Sequence, residues 1–428
     1  MGKTSYEIRD GEFYINGKMT YQEIPGSDPA VHGLLFNARF IQGIFDDKNE
    51  NNKGKYDRFG TCFDAERNTD DLIRALPSWY EAGLRAITVG LQGGGPIYTY
   101  KDWSVIDTGS FSEDGRELRS DYKDRLLKVI RACDELGMLV IVSVLYQAQE
   151  HLFRDGVAML EAVRTVSIFL RECGYENIIL EVANEHDVGN FAKHPLFCSG
   201  EGIASVMNQA REWSGGKFAV GSSGGGGVCK KEVIENSDVI LVHGNTLRRQ
   251  ELYQFIRQIR EVDAQKPIVC NEDSQMFGQL KVAYASHISW GYYNNFTKQE
   301  PPADWGITAG EDAFFARRLK SMILGKQEEE NEFYLQGLEK DSDIDGGYYV
   351  RLASLYPEKI DYVEFYEDEV HLYTAFAEPF MMDSLTTWEQ KPYRPSEQAE
   401  GFRVKIFLHS GEVVERTANL RELREQRA

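Results

Sequence analysis

Met138-Leu139-Val140-Ile141-Val142-Ser143-Val144-Leu145 is apolar at every position but one. A strand with one face in water alternates apolar and polar side chains. One that does not alternate is covered on both faces, as in a parallel sheet. The residues just upstream follow another period: Leu126, Val129, Ile130, Cys133 and Leu136 share one face of a helix that Ser120 is expected to cap and Gly137 to end. A helix leading into a fully apolar strand is the repeating unit of an α/β fold.

The same unit recurs on both sides. Apolar runs stand at 33–36, 86–91, 178–182, 218–221, 239–242, 267–270 and 288–291, with helical patterns between them. In one of these, Leu252, Phe255, Ile256 and Ile259 make a single face before Pro267. Eight strand–helix units favour a closed (β/α)8 TIM barrel over an open sheet. Residues 1–21 read as a β-meander capping that barrel, because Asp10-Gly11 and Asn16-Gly17 flank Phe13-Tyr14-Ile15 and such pairs tolerate the positive φ of tight hairpin turns. The barrel is expected over 22–330. Beyond the charged run 327–332 the texture becomes β-like, at 348–352, 362–366, 372–376 and 402–408, so 331–428 is expected to form a small β-sandwich.

Composition limits the partners. With 48 basic and 68 acidic residues the formal net charge is −20, which repels phosphate backbones and anionic lipid, so no nucleic acid and no membrane surface is expected as a partner. Twenty-two Tyr and 6 Trp supply rings that could stack on sugars, although most such rings belong to cores. The six cysteines show no CxxC or other metal spacing, and Cys133 and Cys270 read as core thiols. Nothing near Met1 resembles a signal peptide, but Met1 could follow a removed leader, so localisation stays open: a secreted or periplasmic place is expected if a leader was removed, and a cytoplasmic one otherwise. The composition leaves room for a homo-oligomer.

In a barrel of this type chemistry sits where the strands end. The residues following the eight runs include Asn37 and Arg39, Gln92, Tyr146, Asn184 and Glu185, the Gly-rich segment 222–227, His243 and Asn245, Glu272 and Asp273, and Trp290. Two carboxylates stand out. Glu185 closes Ile178-Ile179-Leu180-Glu181-Val182-Ala183-Asn184-Glu185 and Glu272 closes Pro267-Ile268-Val269-Cys270-Asn271-Glu272, each directly after Asn. Strands four and seven face each other across an eight-stranded barrel. Carboxyls meeting there at about 5 Å suit the acid and the nucleophile of glycoside hydrolysis with retention. A lone Glu is more often a helix cap or an Arg partner; two Asn-Glu pairs at matching strand ends are harder to explain that way.

These motifs resemble those of clan A glycoside hydrolases, over roughly residues 12–325. The resemblance implies Glu185 as acid/base, Asn184 as its neighbour binding the sugar 2-hydroxyl, Glu272 as nucleophile, Trp290 as an aromatic platform and His243 as the residue orienting the nucleophile. The family's basic residue near the nucleophile usually comes from strand two, where this chain has Gln92, which leaves Arg39 as the candidate. The C-terminal part, with Val363-Glu364-Phe365-Tyr366, is similar to immunoglobulin-like modules appended to such enzymes. Substrate contacts are expected from Asn37, Arg39, Gln92, Tyr146, Asn184, His243, Asn245, Asp273, Trp290 and Trp305, with a carbohydrate as substrate and no metal or other cofactor.

Other signals are weaker. Asp341-Ser342-Asp343-Ile344-Asp345-Gly346 imitates a calcium loop but would put Leu352 where a bidentate Glu is required, so it reads as an acidic turn. The glycines at 224–227 lack a P-loop Lys-Ser/Thr, and those at 93–95 read as a tight loop. Two rival functions remain. His151, His186 and His243 with the acidic residues could serve a metal-dependent sugar isomerase or epimerase, although no His-x-His or His-Glu-x-x-His spacing supports it. A barrel that binds glycan without cleaving it is the third class.

Overall fold

The computed structural model of the chain describes residues 2–52, 54–57, 62–93, 96, 98–99, 102–326, 330–340 and 342–425. Gly94, Gly95, Asp341 and part of the charged run 327–332 lie outside the described residues, so the loop readings made there stay as expectations.

Three short antiparallel strands come first: β1 (Tyr6–Arg9), β2 (Glu12–Ile15) and β3 (Lys18–Met19). Asp10, Gly11, Asn16 and Gly17 all have positive φ, as the turns between these strands require. Eight parallel strands follow: β4 (Asn37–Arg39), β5 (Ala86–Gly90), β6 (Leu139–Tyr146), β7 (Ile178–Asn184), β8 (Ala219–Gly221), β9 (Ile240–His243), β10 (Ile268–Glu272) and β11 (Gly291–Tyr292). Pairing runs β11-β4-β5-β6-β7-β8, with β9 beside β10. Backbone bonds complete the ring, from Asp238 N–H to Val220 O (2.9 Å) and from Cys270 N–H to Ser289 O (3.0 Å). The sheet is therefore a closed barrel in chain order.

Strand β6 is buried at all eight positions, as its unbroken apolar run demands. The preceding helix spans Ser120–Leu136 and ends at Gly137 in the left-handed region (φ 79°). Ser120 is its first helical residue, not its cap; Arg119 holds that position without a side-chain bond. The first barrel strand also differs from expectation: it is Asn37–Arg39, just after the apolar run at 33–36. Polar residues fit there because each has a buried partner. The Asn37 amide donates to Leu35 O and Cys270 O, and Arg39 pairs with an acid described below.

Phe13 packs with Leu139, Ile141, Ile179, Leu241 and Val269, so the meander fills the end of the barrel opposite the strand tips. After residue 330 come β12 (Phe333–Gln336) paired with β13 (Arg351–Ser354), and an antiparallel sheet ordered β15-β14-β16-β17, formed by β14 (Ile360–Glu367), β15 (Val370–Ala375), β16 (Gly401–Leu408) and β17 (Val413–Asn419). Val350, Val363, Phe365, Phe402, Val404 and Ile406 are fully buried in a core of their own.

A buried fork joins this part to the barrel. Arg351 donates from Nε and Nη2 to the two oxygens of Glu311, at 2.9 and 2.8 Å. A second contact is Gly278 N–H to Glu378 Oε1, 3.3 Å. Burial pushes the Glu378 carboxyl up to about 7, with the Gly278 bond and Arg249 pulling it down. The folded chain thus keeps this proton to about pH 7, whereas an unfolded Glu loses it near 4.3. Stability from this group falls as pH rises between those values. Glu378→Gln, which cannot ionise, is expected to raise urea-unfolding stability at pH 8 by on the order of 2 kcal/mol and to leave it nearly unchanged at pH 4.5. Equal effects at both pH values would contradict this.

Candidate active site

Strand β7 ends at Asn184, and the next residue, Glu185, has φ 52°. A non-glycine residue held there costs of order 1 kcal/mol and must be fixed by its surroundings. The fixing groups are visible. Glu185 N–H donates to Ser223 Oγ (3.2 Å), whose own hydroxyl donates to Glu181 Oε1 (2.6 Å), and Asn271 Nδ2 donates to that same oxygen (3.1 Å). Glu181 is fully buried inside the barrel, so residues on and beside β7, β8 and β10 jointly set the Glu185 backbone.

Glu272 closes β10 beside His243, the last residue of β9. Arg39 Nε lies 2.8 Å from Glu272 Oε2, and Asn245 Nδ2 donates to Oε1 at 2.9 Å. Arg39 also donates from Nη2 to Asn184 Oδ1 (2.7 Å), which ties together the tips of strands one, four and seven. His243 Nδ1 stands between the two carboxylates, 3.2 Å from Glu185 Oε1 and 3.5 Å from Glu272 Oε2. One carboxylate oxygen of each Glu and one His243 nitrogen all lie within 4.8 Å of one another.

The charges are coupled. Burial pushes the Glu272 carboxyl up; Arg39 and His243 pull it back, and Glu185 adds to the rise, leaving it above the ordinary range. For His243, burial opposes a charge, but Glu272 and the Glu185 bond outweigh it, so the imidazole holds its proton more firmly than usual. Next to Glu272, burial lifts the Asp273 carboxyl to about 7, against hydrogen bonds from Trp290 and Ser274. One potential metal donor set exists among the described residues, namely Glu185, His243 and Glu272. The Arg39 guanidinium already occupies Glu272 Oε2, and its fixed positive charge opposes a metal cation there.

Glu185 and Glu272 open onto a cavity of about 330 Å³, at the small end of ligand sites. Tyr146, Asn245 and Asp273 line it, as expected of them. Gly225 and Gly226 line it too; a side chain at Gly226 would collide with the Asn245 carbonyl, which is why glycine stands there. Asn184, Arg39 and His243 sit directly behind the two carboxylates.

Four expected contacts lie elsewhere. Trp290 is fully buried, packs on Phe315 and Tyr292, and donates from Nε1 to Asp273 Oδ2 (2.7 Å), so it holds Asp273 and offers no open face. Trp305 is buried edge-on to Phe40 and donates to Asn68. Asn37 staples backbone between strands, and Gln92 Oε1 accepts from Tyr146 N–H (2.8 Å). Each ring or amide found an internal partner that sequence position does not reveal. The aromatic lining instead comes from Trp103, Tyr146, Tyr293 and Trp388. Of these, Tyr146 and Tyr293 follow strands and were visible by that signal. Trp103 sits deep in a loop and Trp388 belongs to the C-terminal part, where the strand-end rule does not reach. His186, two residues after β7, is buried with Nδ1 3.0 Å from Phe197 O.

No protein-family model matches this chain, and no curated protein matches it in sequence. Solved structures of similar fold include a provisionally assigned beta-galactosidase from Bacteroides fragilis (13% identity, TM-score 0.44) and a provisionally assigned glycoside hydrolase from Bacteroides vulgatus (11%, TM-score 0.50). A beta-mannanase from the blue mussel Mytilus edulis is another (11%, TM-score 0.46). The first two each cover 97% of this chain, which spans 57% and 75% of their respective lengths; the third covers 74% of this chain, and 97% of it is matched. At 11% identity the likeness to the Bacteroides vulgatus structure speaks to the fold alone.

Proposed function

We propose that this chain is a glycoside hydrolase that cleaves O-glycosidic bonds with retention, Glu272 acting as nucleophile and Glu185 as acid/base. One observation carries the reading: carboxylate oxygens from opposite strand tips lie within 4.8 Å across a cavity. Retention needs about 5 Å between the groups, and inversion, which must fit a water, needs several more.

Glu272, kept anionic by Arg39 and Asn245, attacks C1 of the sugar while Glu185 gives its proton to the departing oxygen. The C1–O bond breaks with its electrons on the leaving group, and a glycosyl ester to Glu272 forms. The ester carries no charge, so a deprotonated Glu185 no longer faces an anionic neighbour. It can then take a proton from water as that water attacks C1 and frees Glu272. His243, bridging both groups, moderates their repulsion. Asn184 is pinned by Arg39 through Oδ1 and its amide nitrogen has no bond among the described residues, which suits a donor to a sugar hydroxyl.

The two antiparallel sheets after residue 330 support reading 331–428 as an accessory β-sandwich of immunoglobulin-like type on a 22–330 barrel. The test is a panel of α- and β-configured aryl glycosides and polysaccharides, run in EDTA, with NMR of the first-formed anomer. The first product should keep the substrate's configuration at an undiminished rate. Inverted product would sink the retaining pair, and turnover only with added metal would favour the isomerase-type reading.

A further inference from the structure

The C-terminal part reaches the cavity with one side chain. Trp388 lines it and is partly exposed. Its segment is a tight turn, with Leu385 N–H on Glu389 O (2.8 Å) and Ser384 bridged to Gln390. The barrel mouth grips that turn at several points. Trp388 O accepts from Asn295 Nδ2 (2.5 Å) and from the Tyr98 hydroxyl (3.4 Å), and Thr387 Oγ1 accepts from Thr246 N–H (2.8 Å). All of these contacts run through backbone or through Thr387. The indole itself makes no hydrogen bond and no ring contact among the described residues, whereas Trp79, Trp103, Trp290 and Trp305 each donate from Nε1 to a protein oxygen. A large flat side chain is thus held in place by its backbone, with no hydrogen bond and no aromatic or cationic partner on its ring among the described residues, and it lines the same cavity as Glu185 and Glu272.

We propose that Trp388 is a stacking platform for a sugar ring of the substrate, so that the C-terminal part completes the active site instead of binding glycan apart from it. This rests on the carbohydrate reading above. The C–H face of a pyranose packs on an aromatic ring as other apolar surfaces do, and the anchored backbone means little ordering remains at binding. Trp388 takes the role that sequence order pointed to in Trp290, whose ring is spent inside the barrel wall.

The test uses the full chain carrying Glu185→Gln, which slows turnover and keeps the Arg39–Glu272 pair. Cellobiose, mannobiose, lactose and maltose are titrated calorimetrically against it and against the same chain with Trp388→Ala or Trp388→Phe. Whichever disaccharide binds should bind roughly three- to tenfold more weakly to the Ala variant and within about twofold to the Phe variant. Urea midpoints should agree across the three chains, because the indole makes no internal bond. Binding that Trp388→Ala leaves unchanged overturns the platform and spares the hydrolase reading. If none of the four binds the Glu185→Gln chain, platform and carbohydrate reading fall together.

Discussion

Glu272→Gln is expected to lower kcat by roughly 10⁴-fold or more on every substrate the chain hydrolyses, including aryl glycosides with very acidic leaving groups. A good leaving group needs no proton, so it bypasses an acid; it cannot bypass a nucleophile. Glu185→Gln should therefore behave differently, losing most activity on poor leaving groups and keeping a large fraction of ester formation on activated ones, with external azide accelerating the second step. The geometry also predicts that the Glu272→Gln chain folds. The new side chain is close to isosteric, its carbonyl can still accept from Asn245, and the cost of burying a carboxylate disappears. Arg39 keeps its bond to Asn184 and the nearby charge of Glu185, which limits the penalty of losing its partner. The measurement is steady-state kinetics on paired substrates together with far-UV circular dichroism. Substantial residual turnover by Glu272→Gln, or an identical pattern in both variants, would remove the division of roles.

What could be read in advance follows the reach of local rules. Barrel strands were legible because burial on both faces forces unbroken apolar runs, as at β6 and β7, and strand order then puts Glu185 opposite Glu272 without any coordinate. The first strand slipped by a few residues because Asn37 and Arg39 look like loop residues until their partners, Cys270 O and Glu272, arrive from more than 230 positions away. The same distance separates the cation from its partner. The resemblance puts the basic residue on strand two, where this chain has Gln92, so Arg39 stood as the candidate, and the paired register of β11, β4 and β5 makes its reach short. Aromatic residues were the least legible. Trp290 was expected as a sugar platform and Trp305 as a substrate contact, but such a ring can as well turn inward, and Phe315 and Phe40 were waiting for them. Glu181 was passed over for the opposite reason, as a polar interruption in an apolar strand whose partners, Ser223 and Asn271, are on other strands.

Arg39→Met isolates the electrostatics on which the whole arrangement depends. Arg39 is the strongest influence lowering the proton affinity of Glu272, against burial that raises it. Without it, Glu272 holds its proton to higher pH, so the acidic limb of kcat/KM should move upward and activity near neutrality should fall by roughly 10²-fold or more. Stability should follow the same group. A carboxyl whose folded-state affinity is raised above its unfolded value loses stabilisation as pH climbs through the folded value. The Met variant is therefore expected to be weakened most at high pH, by about 3–5 kcal/mol where Glu272 is forced to ionise without a partner, and much less near pH 5. Arg39→Lys should fall between, since an ammonium supplies charge but not the fork that spans Glu272 and Asn184 at 2.8 and 2.7 Å. Urea unfolding at pH 5 and 8 and a pH–rate profile on one aryl glycoside make the comparison. An unmoved acidic limb with equal stability loss at both pH values would mean that Arg39 serves packing alone, and Glu272 would then owe its anionic state to Asn245 and His243.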